Sequence, residues 1–239
     1  MKRTRANPGD GAALRQTLLD AAERILLEHG TEAAITLRGV ATAAQVTTPS
    51  VYLHFADKQA LVDAVAMRVW TDLDKHLCAA RQNVPDPMRA LRKTGAAYVE
   101  FAARHPVQYR LLMMSAPSAR SAAQQTAAEA CFAHIAAAVQ PCLAAGVFRG
   151  DLEQLTLRMW AAVHGCAALL ISQPQLPWDQ DTLGDEVSRM AGLGTALAGR
   201  LDPSAFYPAD AFVDALDETA TSLERHHLAP DAPEKHRHG

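Results

Sequence analysis

Residues 36–58 contain two short helical patterns separated by one tight turn, which restricts this part of the chain to a compact helical arrangement. Thr36 predicts the start of one helix and Thr47 or Thr48 the start of a second, because threonine side chains accept hydrogen bonds from the first free N–H groups of a helix. Pro49 then falls in the first turn, where its missing N–H costs nothing. A third helix is expected at the end of the stretch. This order predicts a helix-turn-helix.

Alanine-rich segments fill much of the remaining chain and favour an all-α fold. Hydrophobic residues make up 49% of the 239 residues, whereas aromatic residues make up only 5%. Alanine has the highest helix propensity, and β-branched runs bounded by turn residues are scarce. The sequence therefore predicts an N-terminal three-helix helix-turn-helix domain and a larger helical domain, with nine to ten helices in all.

Breaks in the apolar periodicity divide the chain into four predicted segments. We expect a disordered basic arm over 1–11, a helix-turn-helix domain over 12–60, a helical effector-binding and dimerisation domain over 61–225, and a disordered tail over 226–239. The long helix that begins near residue 57 is expected to act as a rigid connector between the two domains.

Cysteine usage and hydropathy favour a reduced, cytoplasmic protein. The four cysteines lack the paired spacing of zinc ligands, so no metal and no cofactor is predicted. No stretch of about 20 consecutive apolar residues is present, and no apolar run follows the basic first residues, so no membrane segment and no signal peptide are expected. The formal net charge of -3 counts mildly against nucleic-acid binding by the chain as a whole. A small positive docking face on a larger acidic protein is compatible with that balance.

Short polar side chains gather at the start of the second short helix, where they can reach a DNA groove. Their hydroxyls and the free N–H groups of a helix terminus suit phosphates and base edges. Tyr52 lies about one turn beyond Thr48, and Lys58 combines an ammonium group with a helix N-terminus. The candidate DNA-binding residues are Arg38, Thr47, Thr48, Pro49, Ser50, Tyr52, His54 and Lys58.

Two of these candidates have equally good structural explanations. Arg38 can fork to a guanine, or it can contact the DNA backbone or form a surface ion pair. His54 can donate to a phosphate, or it can pack beside Phe55.

The segments 36–41 and 50–58, together with the first helix, resemble the N-terminal domain of the TetR family of transcriptional regulators over residues 14–66. The resemblance implies an all-helical homodimer, usually a repressor, that binds a palindromic operator with one recognition helix per half-site. It also implies that a small molecule enters the larger domain and moves the two DNA-binding domains apart. In one departure, Gln45 occupies the turn where the family often has glycine, and a left-handed glutamine costs about 1 kcal/mol.

A second resemblance concerns the larger domain. Trp160, His164 and Gly165 match the Trp-x-x-x-His-Gly signature of a subgroup of TetR-like C-terminal domains, and residues 105–113 resemble a helix junction of that subgroup. The match implies a dimerising domain regulated by a ligand that the sequence does not identify.

Aromatic and polar side chains of the larger domain form a candidate effector pocket, since ligand pockets are mostly apolar with a few polar groups. Residues at such helical spacing are also typical of an ordinary core. The candidates are Tyr98, Phe101, Tyr109, Met113, Phe132, Trp160 and His164.

Small residues in the eighth and ninth predicted helices, over 151–172 and 181–199, favour a homodimer seam, because they allow helices to approach closely. Close packing within one subunit would use the same residues.

Three other functions were weighed against a DNA-binding regulator. An enzyme is disfavoured because no nucleophile elbow, Walker A, dinucleotide or His-Glu-x-x-His motif occurs, so no catalytic residue is predicted. A metal or redox sensor would use Cys131 and His134, although buried inert thiols explain the cysteines better. A helical adaptor that has kept the fold without DNA binding is compatible with the acidic balance.

Overall fold

Helices account for all the regular secondary structure in the part of the chain that the computed structural model describes, namely residues 8–114, 121–202 and 204–225. The all-α prediction is therefore confirmed. The helices are α1 (Pro8–His29), α2 (Leu37–Ala43), α3 (Thr48–Tyr52), α4 (Lys58–Arg81), α5 (Pro87–Arg104), α6 (Pro106–Met113), α7 (Ala122–Ala144), α8 (Leu152–Ser172), α9 (Leu183–Ala198) and α10 (Ala209–Glu224), with a 3-10 turn at Glu32–Ala34.

Side-chain caps determine where several helices begin, as the sequence predicts. Thr36 accepts a hydrogen bond from the Gly39 N–H at 3.0 Å, and Asp57 accepts one from the Ala60 N–H at 2.8 Å. Each bond satisfies an N–H group that has no partner within its own helix.

The first helix begins earlier than the sequence analysis placed it. Helix α1 starts at Pro8, so residues 8–11 of the predicted arm are helical. Proline suits a first helical turn because its φ angle is already near the helical value and no N–H is lost there. The remainder of the predicted arm, 1–7, and the predicted tail, 226–239, lie outside the described residues.

The N-terminal helices share a continuous apolar core with the beginning of α4. Leu18 and Leu26 of α1 are fully covered, as are Val40 of α2 and Val51 of α3. Burying a side chain of this size contributes about 1.5–3 kcal/mol. These contacts fix the angle at which the five-residue α3 leaves the surface.

Helix α5 occupies the centre of the larger helical part and packs against α4, α7, α8 and α9. Its approach to α9 is close because Gly95 lies against Ser188 and Gly184 lies against Val99. Helix α4 contacts α1 at its start and α5, α6 and α7 further along. A displacement of α5 or α7 is therefore in direct contact with the helix that follows α3.

The contacts divide the chain into two units after Arg200. Helix α10 belongs to the second unit, and its residues are all exposed. Its apolar side chains include Phe212, Val213 and Leu216.

By length and composition, α7 and α8 are long and apolar enough to cross a membrane, a test that core helices of soluble proteins also pass. Both helices pack against α5 and against each other.

Candidate functional site

Helix α3 presents a polar surface on one side and an apolar anchor on the other. Val51 and Phe55 are buried, whereas 56% of Tyr52 is exposed. Thr47 precedes the helix in an extended conformation, and its hydroxyl lies 2.8 Å from the Ser50 hydroxyl. The paired hydroxyls sit at the helix N-terminus, where they and the free N–H groups can meet an anion.

The remaining members of the predicted DNA surface differ in exposure. Thr47 and Pro49 are exposed, and Thr48 and Ser50 are half-buried at the start of α3. A short polar helix with this distribution offers hydroxyls and N–H groups to a ligand at its end while its apolar side stays in the core.

Charged and ring nitrogen groups lie on the elements next to α3. Arg38 of α2 is exposed and His54 is half-buried. Lys58 is the first residue of α4, and its Nζ donates a hydrogen bond to the Ala33 carbonyl at 3.0 Å. This bond holds the ammonium group beside a helix N-terminus, which combines a full positive charge with that of the helix dipole.

Arg15 is a cation near α3 that the sequence analysis did not identify. Its guanidinium lies over the Phe55 ring, 5.1 Å from the ring centroid. The only sequence signal was a cation on the first helix, and its position follows from the packing of α1 against Phe55.

The turn between α2 and α3 has the left-handed residue that the sequence predicts. Gln45 has a φ of +56°. The following residue, Val46, donates its N–H to the Ala41 carbonyl at 2.9 Å, which closes the turn. A non-glycine residue in this region costs about 1–2 kcal/mol relative to an ordinary helical conformation.

Four of the predicted pocket residues form one hydrogen-bonded network in the larger helical part. The Tyr98 and Tyr109 hydroxyls are 3.0 Å apart, and the Tyr109 hydroxyl lies 2.7 Å from His164 Nδ1. Trp160 Nε1 donates to the Tyr98 hydroxyl at 3.3 Å. The Trp160 and His164 rings also stack, with centroids 5.0 Å apart.

The donors of this network determine its direction. An indole N–H can only donate, so Tyr98 accepts from Trp160 and can pass its own proton to Tyr109, which donates to His164 Nδ1. Burial lowers the pKa of His164 and raises the pKa of Tyr98 and of Tyr109. The network is therefore uncharged at neutral pH, and the proton of the neutral imidazole lies on Nε2.

The other three predicted pocket residues lie in different surroundings. Phe132 meets Trp160 edge to face, with ring centroids 6.2 Å apart. Met113 is half-buried and packs against the same core. Phe101 instead lies against the His105 and His76 rings, at 4.8 and 6.1 Å between centroids.

An apolar cleft lies beside the network, between α5, α7, α8 and α9. Its volume accessible to solvent is about 20 Å³, which holds about one water molecule. Drug-sized ligands need several hundred Å³, so the helices must separate before such a molecule can enter. The lining residues are Leu91, Thr94, Gly95, Tyr98, Ile135, Met159, Val163, Ser188 and Ala191. Sequence reasoning identified only Tyr98 among them, because the others look like ordinary core residues.

Comparisons with protein families match both parts of the chain. Residues 18–65 match the model described as bacterial regulatory proteins, tetR family, and residues 91–192 match the tetracyclin repressor-like, C-terminal domain. Together the two matches cover more than half of the chain. The chain belongs to the TetR family of bacterial regulatory proteins.

Individual relatives agree with this TetR-family assignment. The HTH-type transcriptional repressor BepR of Brucella suis biovar 1 (strain 1330) is 34% identical over 101 residues, which are 42% of this chain and 46% of that protein. A protein with unknown function from Rhodococcus sp. RHA1 has a similar structure, with a TM-score of 0.69, 28% identity, and coverage of 77% of this chain and 95% of that one. A bacterial regulatory protein in the tetR family from Rhodococcus RHA1 has the same fold, with a TM-score of 0.59, 18% identity, and coverage of 76% and 96%.

The two TetR-family matches divide the candidate residues between them. Helix α3 and its flanking residues lie in the first matched segment, and the network around His164 lies in the second. Helix α10 lies outside both. The resemblance to the Trp-x-x-x-His-Gly subgroup stays a prediction.

Proposed function

We propose that this protein is a ligand-responsive, DNA-binding transcriptional regulator of the cytoplasm, and a repressor that leaves a palindromic operator when it binds a small-molecule effector. The observation that carries the proposal is the exposure of hydroxyls and of Tyr52 on α3 above a buried apolar anchor. The name of the BepR relative, a transcriptional repressor, supports the sign of regulation.

In this proposal α3 enters the major groove and its neighbours hold the phosphates. Tyr52 and His54 contact the backbone, and the Lys58 ammonium binds a phosphate together with the N-terminus of α4. Arg38 reaches a base edge or the backbone. The hydroxyl groups and the apolar ring at the start of α3 face the bases, through Thr47, Thr48, Pro49 and Ser50.

Two chains are needed to read a palindrome, and we propose that they pair through α8 and α9. Apolar side chains remain exposed on these helices, with Leu169 half-exposed on α8 and Met190 64% exposed on α9. Gly165 and Gly194 have open space where a side chain would begin. A dimer with one recognition helix per half-site places the two helices about 34 Å apart, one turn of DNA.

The effector is proposed to be an uncharged, largely apolar molecule with a hydrogen-bond acceptor. The network around His164 carries no formal charge, and the proton on Nε2 suits a carbonyl or ether oxygen. The predicted pocket, with Phe101, Met113 and Phe132 at its edges, opens when α5, α7 and α8 separate. Because α4 packs on α5 and α7, this opening tilts α4 and moves α3.

The division of the chain follows the same proposal. Residues 12–60 read DNA, and residues 61–225 bind effector and dimerise. A shift in operator affinity of about 100-fold corresponds to about 2.7 kcal/mol of difference in effector binding between the two states.

Binding measurements on single variants test the DNA surface. Selection from a random duplex library supplies the operator probe, which should contain an inverted repeat with half-site centres about 10 base pairs apart. Lys58→Ala should weaken binding and reduce the slope of log affinity against log salt by about one. Tyr52→Ala should weaken binding with an unchanged slope, because the tyrosine is uncharged. Lys75→Ala is the matched control, since it removes an exposed cation about 25 Å further along α4.

Two results would refute the proposal. Unchanged affinity in both the Lys58 and the Tyr52 variants would exclude the assigned surface, provided that thermal unfolding shows both to be folded. A library from which no duplex is enriched would favour the adaptor that has lost DNA binding.

A further inference from the structure

A second group of reactive side chains joins α4 to α7, apart from the network around His164. Asp74 and Cys78 lie one turn apart on α4, and their ligating atoms and those of His134 on α7 are within 4.8 Å of one another. Cys78 Sγ is 3.6 Å from His134 Nδ1. Arg81 NH2 lies 3.2 Å from the same nitrogen, and its NH1 donates to the His134 carbonyl at 3.3 Å.

The partners of His134 fix its tautomer. A guanidinium can only donate, so His134 Nδ1 accepts from Arg81 and carries no proton. The proton is on Nε2, which donates to the Asp74 carboxylate. The unprotonated nitrogen therefore faces the Cys78 thiol, and the carboxylate holds the ring from its other side.

This is the arrangement of an activated nucleophile, in which a thiol lies beside a base that a third group orients. We infer that Cys78 is a reactive thiol that takes uncharged α,β-unsaturated carbonyl compounds, such as quinones and enones. Arg81 adds a positive charge that stabilises the thiolate. Asp74 acts as a positioning residue and stabilises the imidazolium that forms.

The reaction needs no oxidant and no second reactant. The thiol proton moves to His134 Nδ1, the sulfur forms a bond to the β-carbon, and the electron pair of the C=C bond moves to the carbonyl oxygen as an enolate. His134 then returns the proton to the α-carbon, which leaves a saturated thioether.

The other cysteines lack this combination of access and base. Burial raises the pKa of Cys131 to about 12 and that of Cys142 to about 11. Cys166 is half-buried like Cys78, but burial raises the pKa of its thiol. Cys166 is therefore a matched internal control for Cys78.

An adduct at Cys78 would lie at the contact between α4 and α7, and a new group there forces these helices apart. Since α4 continues from the recognition helix, we expect modification to weaken operator binding. This regulatory consequence rests on the proposed function, whereas the reactivity of the thiol does not.

The test is the rate at which N-ethylmaleimide modifies each cysteine of the full chain, followed by mass spectrometry of its peptides without DNA present. Cys78 should react at least about tenfold faster than Cys166, the lower end of what a positioned base provides. His134→Gln should lower the Cys78 rate to that of Cys166. Asp74→Asn should slow it and Asp74→Glu should restore it, which a merely structural role of the carboxylate would not produce.

Equal rates at Cys78 and Cys166 in the unmodified chain would overturn the inference. An unchanged Cys78 rate in both the His134→Gln and the Asp74→Asn variants would also overturn it, and the aspartate variant serves if the histidine variant fails to fold. A divalent metal bound in equal amount to the chain, with reaction only after chelation, would assign the cluster to a metal site instead. A reactive Cys78 in a chain that binds no duplex would leave this inference standing and refute the proposed function.

Discussion

Replacing Gly95 by alanine should destabilise the protein, because α5 and α9 touch at this position. A Cβ built at Gly95 lies 2.3 Å from Ser188 Oγ, 3.0 Å from Ser188 Cβ and 3.1 Å from Val163 Cγ1. The Ser188 hydroxyl is not free to move, since it is buried and donates to the Gly184 carbonyl at 2.7 Å. Rotating it away gives up that bond, and the two carbon contacts still require the helices to shift.

The balance of these effects gives a magnitude. The lost hydrogen bond costs about 1 kcal/mol, and overpacking a tight core costs about 1–3 kcal/mol. The higher helix propensity of alanine returns about 1 kcal/mol. Gly95→Ala should therefore lower the free energy of unfolding by about 1–3 kcal/mol, and the melting temperature by about 2–4 °C for each kcal/mol.

Urea denaturation followed by circular dichroism, at one protein concentration, measures this change. The control is Gly11→Ala in α1, where the nearest atom to the added Cβ is 3.9 Å away, so only the propensity gain of up to about 1 kcal/mol is expected. The double variant Gly95→Ala/Ser188→Ala removes the closest contact and should recover about 1 kcal/mol. A Gly95→Ala chain as stable as the Gly11→Ala chain would show that the reasoning about the α5–α9 contact is wrong.

Three further predictions concern the turn and the network. Gln45→Gly should raise the free energy of unfolding by up to about 1 kcal/mol, because it relieves a left-handed φ of +56°; a lower melting temperature would contradict this. Tyr98→Phe should cost about 2 kcal/mol and Tyr109→Phe about 1 kcal/mol in urea unfolding, because only the first leaves the Trp160 N–H without its acceptor; the reverse order would be inconsistent with the assigned direction. Burial lowers the pKa of His164, so as the pH falls through its unfolded value of about 6.5 the unfolded chain takes up a proton that the folded chain resists. The free energy of unfolding should thus decrease more between about pH 7 and 5 than in His164→Gln, and parallel curves would count against a depressed pKa.

The sequence predicts the local features of this protein well. The caps Thr36 and Asp57 are observed with their expected hydrogen bonds, and Gln45 has the expected left-handed conformation. Each depends on residues within a few positions of one another, where side-chain chemistry and backbone geometry decide the outcome. The start of α1 at Pro8 is the exception, since a composition that looks disordered can still continue a helix.

The assembly of side chains from distant helices is different. The sequence suggested Tyr98, Phe101 and His164 as one group, but Phe101 turns toward His76 and His105. Adjacent turns of one helix face different neighbours, and the rotation of α5 about its axis follows from its contacts with all the helices around it.

The sequence by itself determined that the chain is helical, where its short N-terminal helices begin and which polar groups stand at the start of α3, because these depend on interactions within one or two turns. Only the tertiary structure decided that His134 meets Asp74 and Cys78, that Arg15 covers Phe55 and that the cleft beside Gly95 is closed. These contacts join residues far apart in the chain, and their distances depend on how whole helices pack, which no local pattern encodes.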